Sequence, residues 1–235
     1  MHMPHATVSP QTLLNDYGEY LLARLEAKKE LQDLAEAFAG QQDDLRKKVE
    51  TASVLERGIQ HALAARDDAD FGLDDAVRQF SLAILSANRG NRKSPAYVKY
   101  FPEGLLAVTM APLAQEVVAV SNILDLLSAE SDAQLKGYQE LLQGNLDVLR
   151  KAVAAHKAAM DGADSAGNAV RAQAITWRDT YRKVYGELTA RHASERAYVE
   201  SFFKKPPGAS RKAARPAEPP GAMAADGGEP YRDKK

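Results

Sequence analysis

Stepping along the chain from Leu142 by alternating four and three residues lands on Leu142, Leu146, Leu149, Val153, His156, Met160, Ala163, Gly167, Val170, Ala174, Trp177, Tyr181, Val184 and Leu188. Twelve of these fourteen positions are apolar. That is the heptad signature of a helix that lays one stripe against another helix. No proline falls between Pro112 and Pro206, so the pattern predicts one long helix, or a helix pair, over 131–203. Within it, Leu142, Leu149, Val153, Met160, Val170, Trp177, Tyr181, Val184 and Leu188 form the candidate helix-association seam.

A weaker seam runs from Leu14 to Leu63, with eleven of fifteen positions apolar. Arg24, Lys28, Gln42 and Glu56 interrupt it, which suits a bundle edge or a face turned to a partner chain. Ser9 and Pro10 read as an N-cap followed by a first-turn proline. A stop is expected in the run of acids and glycine at 66–72. Glycine-containing stretches at 40–44 and 161–168 could break either helix. Each helical glycine costs about 1 kcal/mol, but both seams hold phase through these stretches, which favours continuity. At about 1.5 Å per residue, spans 10–67 and 131–203 would reach about 87 and 110 Å.

The middle of the chain predicts a shorter helical pair. One helix is expected at 73–88, with Asp74 and Asp75 at its start, where acids suit the helix dipole. The other is expected at 103–128, kinked or restarted by Pro112. The predicted fold is therefore all-α: an elongated helical bundle or antiparallel coiled coil of two long helices and a central pair. Residues 1–8 form a flexible N-terminus, 9–203 one elongated domain, and 204–235 a disordered tail.

Composition sharpens this picture. The 235 residues include 41 alanines, four isoleucines and no cysteine. Such an alphabet favours helix over sheet and removes disulfides, thiol nucleophiles and thiolate metal sites. The net charge of −1 conceals a division. From Lys204 onward eight Lys/Arg face four Asp/Glu, giving a +4 tail and leaving −5 for the rest. Six of the eleven prolines lie in that tail, and it has too little to bury to offset its ordering entropy. The first ten residues lack a basic stretch followed by an apolar run, so a cytoplasmic setting is the default expectation.

Candidate chemistry is sparse. Residues 89–101 carry Arg89, Arg92, Lys93 and Lys99, interleaved with Tyr97, Tyr100 and Phe101. Cations beside aromatic faces can hold phosphates and stack bases, or anchor a protein partner. The alternative, which is favoured, is that the aromatics plug the bundle end while the cations stay in water. Residues 104–124 contain one charge, Glu116. A membrane-active helical toxin could use such a segment, but a central helix wrapped by others explains it better. No phosphate-binding loop, serine-hydrolase elbow or His-Glu-x-x-His pattern occurs, and no inward Glu-x-x-His pairs. No cofactor or metal is expected. The sequence thus predicts a non-enzymatic helical scaffold or adaptor acting by helix–helix association, with self-association or a protein partner. Nucleic-acid or polyanion binding through 89–101 and the basic tail, and membrane activity through 104–124, are the alternatives.

Overall fold

The computed structural model describes residues 3–204. The predicted disordered tail therefore lies, but for Lys204, outside the described residues. Among these residues there are helices and no strand. The elements are α1 (Pro10–Thr12), a π-helical turn (Leu13–Gly18), α2 (Glu19–Glu26), a 3₁₀ turn (Lys29–Leu31), α3 (Gln32–Ala87), α4 (Pro95–Tyr100), α5 (Leu106–Thr109), α6 (Leu113–Ser128), α7 (Ala133–Lys136), α8 (Tyr138–Arg191) and α9 (Arg196–Glu200).

Two long helices dominate: α3 has 56 residues and α8 has 54. They run antiparallel. Near one end Trp177 Nε1 donates to Gln42 Oε1 at 2.8 Å, and Gln173 reaches Gln41 at 3.0 Å. Near the other, the backbone of Gly72 lies so close to Asn145 that an added Cβ would sit 3.2 Å from its Oδ1. Both helices pass unbroken through the glycine-containing stretches at 40–44 and 161–168.

The long N-terminal helix differs from the expected 10–67. It breaks at Lys28, whose backbone is extended (φ −124°, ψ 111°), and then continues to Ala87 without stopping at 66–72. The break folds α1, the π turn and α2 back, so that Leu13, Leu14, Leu21 and Leu25 join Phe38, Trp177 and Tyr181 in one core. A straight helix would have carried those leucines away from their partners. Asp67, Asp68, Asp74 and Asp75 thus lie inside α3 and do not start a helix. Likewise α8 ends at Arg191. The chain then reverses through α9 and tucks Phe202 and Phe203 into the same core.

The middle segment restarts where Pro112 stands, immediately before α6. Ser94 caps α4 by accepting from the Tyr97 amide at 3.3 Å, with Pro95 in the first turn. Asp132 caps α7 through the amides of Gln134 and Leu135. α3 ends in a left-handed turn, Arg89 at φ 52° and Gly90 at φ 77°, with the Gly90 amide bonded back to the Leu85 carbonyl at 2.7 Å. Such a reversal closes a helix end and aims the next segment back along it.

The molecule has two separate cores. One gathers α1, α2, the start of α3, the end of α8 and residues 199–203. The other gathers the end of α3, α4–α7 and the start of α8. Between them, residues 46–68 of α3 and 150–169 of α8 form a two-helix stalk without a single fully buried side chain.

Gln42 knits the first core together. Its Nε2 donates to the Leu14 carbonyl at 2.9 Å and to Glu19 at 3.2 Å, while its Oε1 accepts from Trp177. The carbonyl of Leu14 lies in the π turn, where the wider winding makes room for the side chain. Gly18 is required there, because a Cβ would fall 2.1 Å from Gln42 Oε1. Replacing Gln42 by Leu keeps the volume but strands the indole N–H, while the Leu14 carbonyl keeps the Glu19 amide. A loss of about 1–3 kcal/mol is expected, readable by urea unfolding followed through the fluorescence of the sole tryptophan.

Candidate functional site

The segment 89–101 sits at the tip of the second core. Its aromatics face inward: Tyr97, Tyr100 and Phe101 are 4, 3 and 1% exposed. Phe80 of α3 organises them, with ring centroids 5.0 Å from Tyr100 and 6.0 Å from Phe101. Tyr97 packs on Phe101 at 5.2 Å. These rings therefore plug the bundle end and offer no face on which a base or partner could stack.

The cations divide. Arg89, Arg92 and Lys93 are exposed on the turn before α4 and have no ion-pair partner among the described residues. Lys99 is taken up locally. It donates to Glu130 Oε2 at 2.8 Å, and Tyr100 donates to the same oxygen at 2.6 Å. With two backbone amides on its other oxygen, Glu130 is held down at about 2, Lys99 being the largest cause. Beside this pair, Phe101, Pro102, Gly104, Val108, Asn122 and Ile123 line part of a mostly apolar groove of about 260 Å³.

A second constellation escapes simple motif searching. Glu116, in the first turn of α6, is 3% exposed and faces Asp70 and Asp74, which sit one turn apart on α3. One oxygen of each of these three carboxyls is buried without a hydrogen-bond partner. Arg78 neutralises Asp74 at 2.6 Å, and among the described residues no cation pairs with Glu116. Burial first, then proton sharing with Asp70 and the charges of Asp70 and Asp74, push Glu116 up to about 8. Burial likewise raises Asp74, against the pull of Arg78. Among the described residues no group of three His, Cys, Asp or Glu is placed to hold a metal ion. The chemistry at hand is therefore retention of a proton. Two signs of it were legible in the chain: a lone acid inside the apolar stretch 104–124, and acids at i and i+4 on the helix it packs against.

Comparison of the chain with family models, with curated proteins and with solved structures gives no match.

The seam residues fall into two sets. Leu142 and Leu149 are buried in the second core, and Val170, Trp177, Tyr181, Val184 and Leu188 in the first. Trp177 and Tyr181 stack at 5.1 Å, ringed by Tyr17, Phe38 and Phe203. Val153 is half-buried, and Met160 is 40% exposed in the stalk. The segment 104–124 is divided between α5 and α6, and no helix among the described residues is long and apolar enough to cross a membrane.

The Glu116 proton has a consequence for stability. The folded state binds it more tightly than the unfolded chain does, so the contribution of Glu116 to stability is fully present below the ordinary carboxylate range. It falls as pH rises toward about 8. Thermal unfolding between pH 5 and 9 is expected to show this decline. Glu116→Gln should flatten it and leave the protein more stable than wild type at pH 8 to 9. An unchanged pH profile in the variant would contradict the assignment.

Proposed function

We propose that the chain is a helical scaffold that works by helix–helix association, including association with itself, and not by catalysis. The observation that carries the reading is the stalk. Two cores, each closed by its own aromatic cluster, are held apart by a helix pair whose seam is only half-covered. A protein that needed only to be compact would fold such a pair back on itself. One that holds two ends at a set separation keeps it extended. With 56 residues in α3, that helix alone spans about 84 Å. The proposed setting is cytoplasmic, on the sequence expectation.

A second reading has its own support. Arg89, Arg92 and Lys93 cluster on one turn with no acid paired to them among the described residues, which suits a polyanion held through its phosphates, without base stacking. Under this reading Arg92→Glu with Lys93→Glu abolishes binding to heparin or duplex DNA, and wild-type binding weakens steeply with salt. Binding indifferent to both, or none at all, removes it.

For the scaffold reading, small-angle scattering should give a rod-like particle at least as long as α3. Light scattering on size-exclusion fractions should show a mass that rises with concentration. A compact particle that stays monomeric at every concentration would overturn it.

A further inference from the structure

The join between α2 and α3 is bent against its local sequence. Of the twenty residues from Glu19 to Phe38, seventeen are Ala, Leu, Glu, Lys, Arg or Gln, and none is glycine or proline. Such a run favours a single helix. At the bend Lys28 is extended (φ −124°, ψ 111°), and among the described residues the amides of Lys29 and Glu30 find no backbone acceptor. The side chain of Gln32 makes good part of this loss, its Nε2 donating to the Glu26 carbonyl at 3.0 Å. The bend is held from elsewhere, by the contacts of the N-terminal arm, residues 10–26, with the first core. Gln42 donates to the Leu14 carbonyl at 2.9 Å, Arg46 pairs with Glu19 at 2.6 Å, and Arg24 donates to Ser201 Oγ at 2.8 Å.

We propose that two copies of the chain associate by exchanging these arms. In the exchanged dimer α2 and α3 form one continuous helix over residues 19–87, about 104 Å long, whose N-terminal end packs in the first core of the other copy. Every contact between arm and core is kept, because the partner presents the same residues. The straightened join gains the i→i−4 bonds that the bend lacks. Identical contacts in both forms, with a hinge that relaxes on opening, make exchange a low-cost route to a dimer. The arm runs antiparallel to α3, since Glu19 meets Gln42 while Ser9 and Pro10 lie beside Val49 and Ala52. The two stalks of an exchanged dimer therefore point away from each other, and the first cores sit together at its centre. This inference rests on the reading of the protein as self-associating and names the segment through which it occurs.

The test uses the full chain, refolded from urea at low and high concentration, with monomer and dimer separated by size exclusion. Wild type should give a dimer that persists for hours after dilution, because each arm must leave a packed core before it can return. Lys29→Pro suits the bent form. Position 29 opens a 3₁₀ turn, whose φ range includes that of proline, and an extended residue such as Lys28 is what precedes a proline. Inside a continuous helix the same proline is disfavoured, so the ratio of dimer to monomer should fall by about a hundredfold or more. Two glycines inserted between Lys28 and Lys29 lengthen the hinge and should lower the ratio as well, which keeps the test decisive if K29P folds poorly. Because the chain has no cysteine, copies carrying Arg24→Cys can be refolded with copies carrying Ser201→Cys and treated with a short bismaleimide. Exchange sets residue 24 of one chain against residue 201 of the other, so the mixture should yield a covalent dimer and neither variant alone should. A wild-type dimer that both hinge variants retain, and that gives no link between 24 and 201, associates through another face. In that case this proposal fails and the self-association reading stands. A wild-type chain that is monomeric throughout overturns both.

Discussion

The antiparallel pairing of α3 with α8 is the constraint on which everything else depends. Two helices in contact can each cover only one stripe, and the stripe between two helices stays open to water along both edges. The stalk shows this directly. Val49, Ala52, Ile59, Leu63, Val153 and Ala163 lie on the seam, and all are half-buried. Full burial requires a third element, and the chain supplies one at each end. At one end α1, α2 and residues 199–203 close over Phe38, Trp177 and Tyr181. At the other α4 and α6 close over Phe80, Leu142 and Leu146. The fully buried large side chains lie where a third layer exists, and between those regions the aliphatic seam residues stay half-covered.

Each end also contains a polar group in an apolar setting, and the two are handled differently. Gln42 has both amide hydrogens and its carbonyl oxygen engaged, by a carbonyl from a π turn, a carboxylate and an indole. Such a node costs little and admits one register only, since a slip of either helix by a residue would leave both the amide and Trp177 unsatisfied. Glu116 is the opposite case. Its neighbours are acids, so it is accommodated by keeping its proton and not by a counter-charge. The first end is thereby fixed in geometry, while the second is sensitive to proton activity near the top of the physiological range.

The fold was legible where period and composition agreed. The seam from Leu142 to Leu188, held in phase through Gly162 and Gly167, lies within one continuous helix, and Pro112 stands just ahead of α6 as a proline's missing N–H requires. What periodicity could not place was the break at Lys28, where no proline or glycine marks the turn. The gain there is tertiary: four leucines meet an aromatic cluster some 150 residues away in sequence. The stop expected at 66–72 fails for the converse reason. Gly72 provides the close approach to Asn145, and Asp70 and Asp74 face Glu116, so residues that read locally as punctuation serve contacts across the bundle. In the segment 89–101 the residue types alone leave two readings open, since an aromatic that plugs a core and one that stacks a base look the same in sequence. The Phe80 ring, nine residues before Arg89 and one heptad after Leu73, is what draws them inward.

The alanine content follows from this architecture. A stalk that buries no side chain completely gains little from large apolar residues, and exposing them would invite aggregation. It must still be helical across twenty residues or more of each long helix. Alanine meets both demands, having the highest intrinsic helix propensity and a methyl group small enough to leave exposed. The stalk is therefore held partly by local preference and partly by its two ends, which clamp the helices in register from outside. Local opening should accordingly cost least in the stalk and most in the end cores.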